Sequence, residues 1–190
     1  MMELTIDQRK QLIEKYPYLQ PRNLWTGKIS DDYDFSYIRG ESELPSGWFK
    51  LFLMYCKDIR QHLVEANMLE KFQFSQIKEK YGSMRLYNFG YPETILKITH
   101  MYRYMSQFIC HRCGNFARYE SYDYILPWCE HCTDNECFIF KKLYRPSVLY
   151  IEHYENHESY KTAYSIKPLI KKYKKLLELS DDQFLEYILT

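Results

Sequence analysis

Cys110 and Cys113 stand in Cys-His-Arg-Cys-Gly, and Cys129 and Cys132 stand in Trp-Cys-Glu-His-Cys. The spacing, C-x2-C-x15-C-x2-C, is that of a four-thiolate zinc site. Each C-x2-C pair can fold as a tight knuckle that turns both sulfurs inward. Gly114, directly after the second cysteine, suits the positive-φ position such a knuckle often needs. A zinc ion accepts the resulting tetrahedron of sulfur without geometric preference. The chemistry of such a site is structural. The expectation is one structural Zn2+ per chain, held by Cys110, Cys113, Cys129 and Cys132. Two disulfides or four free thiols are the alternatives. His111 and His131 lie within the knuckles, and Cys137 lies five residues past Cys132. Each is a candidate to replace a thiolate. Cys56 falls inside a helical pattern and is expected to be a core thiol.

The chain has 190 residues, 46% of them hydrophobic, which suits one domain with a sizeable core. Its net charge of +1 comes from basic and acidic residues mixed along the whole length. That balance argues against a strong basic footprint for nucleic acid. The chain is rich in aromatics, with 20 Tyr and 11 Phe, and tyrosine readily builds partner interfaces. The N-terminus, Met-Met-Glu-Leu-Thr-Ile-Asp, has neither a basic n-region nor an apolar h-region. The longest apolar run, Leu51 to Cys56, is far too short to span a bilayer. A cytoplasmic location without membrane contact is therefore expected. Reduced thiols in that setting favour the metal over disulfides.

The elements that must position the cysteines follow from periodicity. Thr5-Ile-Asp-Gln8 reads as a capping box that opens a short helix running to about Tyr16. Residues 22–46 look irregular. Pro45-Ser-Gly47 introduces a second helix to about Asn67, with Trp48, Leu51, Phe52, Tyr55, Ile59, Leu63 and Ala66 as its core stripe. Lys71–Lys80 and Ser83–Phe89 alternate and predict a β-hairpin around Gly82. A loop at Tyr81-Gly82-Ser83 sets Glu79 opposite Arg85 and Ile77 opposite Tyr87, pairing opposite charges. A two-residue loop is expected to set Lys80 against Arg85, placing like charges together. Pro92 opens a third helix, with Ile95, Ile98, Tyr102 and Met105 inward, which delivers the chain into the first knuckle. A short hairpin around Asp123 should join the two knuckles. Phe138–Tyr144 and Val148–Tyr154 read as strands. A helix over Ser165–Leu179 and another capped by Ser180 and Gln183 end the chain. The expected fold is α+β: helices packed on a small antiparallel hairpin, with an inserted four-cysteine zinc ribbon. Residues 1–190 form one domain, with 108–134 as a ribbon subdomain and 160–190 as a C-terminal helical segment.

Residues 47–132 carry a longer pattern. Gly47-Trp48 opens a helix. The string Gln76-Ile77-Lys78-Glu79-Lys80-Tyr81-Gly82-Ser83-Met84-Arg85-Leu86-Tyr87 follows, and Ser106 precedes Cys110 by four residues. This resembles a family of short phage and bacterial zinc-ribbon proteins. Its pattern has a Gly-Trp helix start, a Gln-Ile-Lys-Glu-Lys-Phe-Gly-x-Leu-Arg-Phe-Tyr hairpin and a C-x2-C-Gly knuckle. The departures here, Tyr81 for Phe and Met84-Arg85-Leu86 for Leu-Arg-Phe, keep the alternation. Members resemble small accessory proteins encoded beside toxins or within phage genomes. The resemblance therefore implies an immunity protein or inhibitor whose partner is a protein, either a toxin or a host or phage protein.

No Gly-rich phosphate loop, nucleophile elbow or telling carboxylate pair is visible, so no catalytic residue is assigned. His153 and His157 would share a helical face, but they lack the H-E-x-x-H form and a third ligand. The candidate partner-binding residues are Lys78, Lys80, Arg85, Tyr81 and Tyr87 on the hairpin. The expected function is a small zinc-stabilised protein-binding module. The alternative is a zinc-ribbon nucleic-acid binder using Lys78, Lys80, Arg85, Arg112 and Arg118. Near-neutral charge counts against it, because phosphate contacts dominate such affinity.

Overall fold

A Thr5 hydroxyl that accepts the Gln8 N–H, and a Gln8 side chain that accepts the Thr5 N–H, start the first helix, α1 (Ile6–Lys15). In the computed structural model, residues 2–23, 26, 28–29, 44–89, 93–122, 124–133, 140–155 and 158–190 are described. Pro17 ends α1 and opens a 3-10 turn, Pro17–Leu19. Tyr16 donates its hydroxyl to the Ile188 carbonyl at 2.5 Å, and Tyr18 donates to the Cys56 carbonyl at 2.7 Å. The N-terminal segment is thereby tied to both the last helix and the second.

A 3-10 turn, Ser46–Trp48, leads into α2 (Phe49–Glu65). The expected stripe is buried up to Leu63, while Ala66 is exposed. Leu53, Met54 and Cys56 are fully buried as well. A helix whose first two turns are buried on every side except at Lys50 is a central helix, not a surface one. Around it lie α3 (Glu93–Ser106), α5 (Lys167–Leu177) and α6 (Asp181–Leu189). Pro92 lies outside the described residues. Asp58 of α2 accepts the Tyr102 hydroxyl of α3 at 2.6 Å and pairs with Lys172 of α5, joining three helices. The Ser180 and Gln183 capping box on α6 forms as expected.

Strands β1 (Gln73–Lys80) and β2 (Ser83–Phe89) make the expected hairpin, but in a different register. Lys78 faces Arg85, Ile77 faces Leu86 and Lys80 faces Ser83. The loop is Tyr81-Gly82, with φ of 53° and 69°, and two positive-φ residues are the signature of a type I′ turn. Its twist matches that of the strands. Glu79 does not pair with Arg85; its carboxylate accepts the Gly82 N–H at 2.7 Å. The Ser106 hydroxyl of α3 accepts the Met84 N–H at 2.9 Å and fastens the hairpin to the core.

The ribbon contributes β3 (Tyr119–Ser121), β4 (Pro127–Trp128), the one-turn helix α4 (Glu130–Thr133) and β5 (Phe140–Lys142). These strands form an antiparallel sheet in the order β4-β3-β5. Glu120 is buried and bridges Lys141, at 2.9 Å, and Arg145, tying β3 to the chain after the ribbon. Asp123, at the expected ribbon turn, lies outside the described residues. Strands β6 (Val148–Glu155) and β7 (Glu158–Ser165) form a second hairpin. Two expectations change here. Residues 160–165 of the supposed helical segment are strand, and α5 begins at Lys167. His153 lies in β6, so no helical face brings it to position 157, itself outside the described residues. The inward residues of α5 (Leu169, Tyr173 and Leu176) are buried, with Ile170 and Leu177 half-buried. No helix among the described residues is long and apolar enough to cross a membrane.

Trp48 is fully buried, and its indole N–H donates to the Ile109 carbonyl at 2.8 Å. Trp48→Ala should therefore lower unfolding free energy by about 3–5 kcal/mol. Urea unfolding followed by far-UV circular dichroism measures it, and an unchanged midpoint would contradict the packing described.

Candidate functional site

The first knuckle closes through local backbone bonds. Cys110 donates its N–H to the Asn115 carbonyl at 2.7 Å, and Gly114 donates to the Cys110 carbonyl at 3.0 Å. Gly114 has φ 82°, as its position demands. The second knuckle turns through α4, where Cys132 donates to the Cys129 carbonyl at 3.1 Å. The two are brought face to face by β3 and β4, and by the His111 N–H, which donates to the Pro127 carbonyl at 3.1 Å. All four sulfurs lie within 4.8 Å of one another, and Cys113 Sγ is 3.5 Å from Cys129 Sγ. None is in a disulfide. The cluster is a site that can hold a metal ion.

Four sulfurs at these distances cannot all ionise without a cation between them. Burial pushes the Cys129 thiol up to about 11 and Cys132 higher still. Burial also opposes ionisation of Cys113, but the Asn115 backbone N–H and the neighbouring thiols bring that group below its usual value. A cation would convert all four to thiolates, since metal binding releases their protons.

The other candidate ligands stand apart. The His111 ring is occupied: Nδ1 is 3.1 Å from the Pro127 carbonyl oxygen, and the ring meets Trp128 edge-on at 4.3 Å. His131 is exposed and outside the sulfur cluster. Cys137 lies outside the described residues. Cys56 is a fully buried core thiol, and burial pushes it up.

The first knuckle is gripped from outside the ribbon. Gly47 donates its N–H to the His111 carbonyl at 2.9 Å, and Ser46 donates its hydroxyl to the Arg112 carbonyl at 2.9 Å. With the Trp48 indole on Ile109, three successive residues hold three knuckle carbonyls. Tyr173 of α5 donates its hydroxyl to the Gly114 carbonyl at 3.0 Å. The approach at Gly47 is so close that a Cβ there would lie 2.2 Å from the Cys110 oxygen. Spacing alone missed Ser46 and Tyr173. The Gly47-Trp48 pair, picked out by the resemblance, was the available signal.

Four of the hairpin candidates share one face, and Tyr81 sits in the turn. Lys78 and Arg85 sit opposite each other, and Lys80 and Tyr87 lie on the same side. Lys78 stands over the Tyr87 ring at 5.5 Å and Lys80 over Tyr81 at 5.2 Å. Among the described residues no carboxylate pairs with these three cations, and Arg85 Nε is buried without an acceptor. The hairpin tip touches the ribbon, since a Cβ on Gly82 would lie 2.1 Å from the Ile125 carbonyl oxygen.

Fold and site together define a class: a small α+β protein whose helices pack on antiparallel hairpins and whose inserted ribbon carries a four-cysteine cluster. The chain matches no protein-family model, no curated protein and no solved structure.

Elemental analysis of the purified chain should find one metal ion per molecule, and Cys129→Ser should lose most of it. Gly47→Ala leaves every ligand in place. It should still cost roughly 1–3 kcal/mol, because its neighbours are backbone atoms that cannot step aside. It should also speed metal loss to a chelator. Unchanged chelation kinetics would show that the grip does not support the site.

Proposed function

We propose that this chain is a zinc-stabilised protein-binding module, of the immunity or accessory-inhibitor type, that docks a protein partner through the outer face of the β1–β2 hairpin. The observation that carries the reading is a set of cations there that no carboxylate among the described residues neutralises. Lys78, Lys80 and Arg85 have no carboxylate partner among the described residues, and Tyr81 and Tyr87 beside them are exposed. A charged face with aromatic anchors suits recognition: the charges steer and select, and the rings supply buried area.

Zinc is the metal that fits the donor set. Four thiolates at ~2.3 Å from a tetrahedral zinc stand about 3.8 Å apart, close to the 3.5 Å between Cys113 and Cys129. With all four positions filled by protein, the ion holds structure and offers no site for activated water. Structural zinc in small sites contributes about 10–16 kcal/mol of apparent binding energy at neutral pH. The ribbon should depend on it.

Nucleic acid is the second reading, favoured by the tyrosines beside lysines. Arg118, one of its candidate contacts, is already paired with Glu130 at 3.3 Å. The experiment expresses tagged wild-type chain and a Lys78→Glu/Arg85→Glu variant in the native host and identifies captured proteins. Binding to single- and double-stranded nucleic acid is measured in parallel across a salt series. A stoichiometric protein partner lost from the variant is the expected result. Salt-sensitive nucleic-acid binding without a protein partner would overturn the reading.

A further inference from the structure

We infer that the cleft where α2, α3 and α5 meet is a binding site for a small apolar carboxylate. The inference goes beyond the docking reading, because no residue of the cleft lies on the β1–β2 hairpin. The cleft holds about 480 Å³, within the roughly 300–1,000 Å³ of small-molecule sites. Its lining is mostly apolar. Ile98 and Met101 come from α3, and Pro168 and Leu169 come from the first turn of α5. A few polar groups join them: Lys57, Asp58, Gln61 and His62 from α2, and Lys172 from α5. An apolar lining with a few convergent polar groups is the usual make-up of a small-molecule site.

The charges that line the cleft do not cancel. Two lysines, Lys57 and Lys172, stand against one carboxylate, Asp58. Both oxygens of that carboxylate are taken: Oδ2 accepts the Tyr102 hydroxyl at 2.6 Å, and Oδ1 accepts from Lys172 at 2.5 Å. An ammonium has three donors, so Lys172 keeps two beyond this bond. Lys57 makes no ion pair among the described residues; its ammonium stands over the Tyr187 ring at 4.8 Å. Burial lowers the Lys57 pKa below its usual value; Lys15, Lys172 and Arg60 push the same way, and Asp58 opposes them. A cation short of water and of counter-charge gains from an arriving anion. At the rim, Gln61 donates to Glu65 at 2.9 Å, and His62 Nδ1 lies 3.8 Å from the same carboxylate. Glu65 is therefore committed within its own helical turn. The cleft is left with one positive charge in excess over an apolar lining, which matches a single carboxylate on an apolar body. Helix α5 carries five lysines, Lys172 among them, and no acidic residue, which keeps the field at the opening positive.

Naphthoate and octanoate, titrated separately into the intact, isotopically labelled chain and followed by proton–nitrogen NMR, test the inference. Saturable one-to-one binding of at least one acid is expected, with the largest amide shifts on α2, α3 and the start of α5. The matching alcohols, naphthalene methanol and octanol, keep the apolar body without the charge and should bind at least tenfold more weakly. Lys57→Gln removes a charge without touching the Asp58 network and should weaken the acid at least fivefold. Met101→Trp fills the cleft and should abolish binding. Lys57 and Met101 are both half-buried, and the melting temperature and metal content check that each variant is folded. The Lys78→Glu/Arg85→Glu variant should bind the acid as the wild type does, so this site and the docking face stand or fall separately. Neither acid saturating, alcohols that bind as well as the acids, or shifts confined to other elements would overturn the inference on the wild-type chain alone. Undiminished binding to both folded cleft variants would overturn it as well.

Discussion

The first cysteine knuckle lies against the backbone of Gly47 so closely that no β-carbon fits between them, and the rest of the structure is arranged around that contact. The central helix starts two residues later, at Phe49. Its first turn is therefore anchored to the ribbon by the Gly47 N–H and the Trp48 indole, while its apolar body runs into the core. Tyr173 reaches the same knuckle from the far end of the sequence. A metal in the sulfur cluster therefore holds more than a local loop. It sets the surface on which the start of α2 and the middle of α5 both rest. Residues that look unrelated along the chain, from Gly47 and Trp48 to Ser106 and Gly114, meet at or next to one substructure.

The hairpin shows which of two forces wins. Aligning Glu79 with Arg85 joins opposite charges, but exposed ion pairs contribute only ~0–1 kcal/mol. That alignment sets Leu86 opposite Lys78 and Ile77 opposite Tyr87, carrying apolar side chains to the solvent face. In the register adopted, Ile77 and Leu86 are both buried. Burial of a side chain that size stabilises by about 1.5–3 kcal/mol. Burial and turn twist outweigh charge pairing, so Lys78 and Arg85 face each other. The same choice that completes the core therefore leaves two cations side by side on the outward face of the hairpin.

The cluster has no open coordination position for chemistry when four thiolates surround an ion. The ribbon and the hairpin meet directly. The ribbon turn that carries Tyr124 and Ile125 leaves the same β3–β4 pair that aligns the knuckles, and it lies against the hairpin turn at Gly82.

The cysteine spacing, the two capping boxes at Thr5 and Ser180, and the apolar stripe of α2 were legible in the sequence, because each is a local pattern. A knuckle needs its two cysteines three residues apart, a cap needs its partner three residues on, and a helix face recurs every three to four. The identity of the four clustered cysteines followed from that alone. Tertiary structure decided the rest. It decided the near-complete burial of the first two turns of α2, the strand in place of helix before Lys167, the grip of Ser46 and Tyr173 on knuckle carbonyls, and the contact of Gly82 with Ile125. Each depends on which surfaces meet across long stretches of chain. The hairpin register belongs with them. Its charges favoured one alignment locally, and only the core on its other side decided which side chains had to be buried.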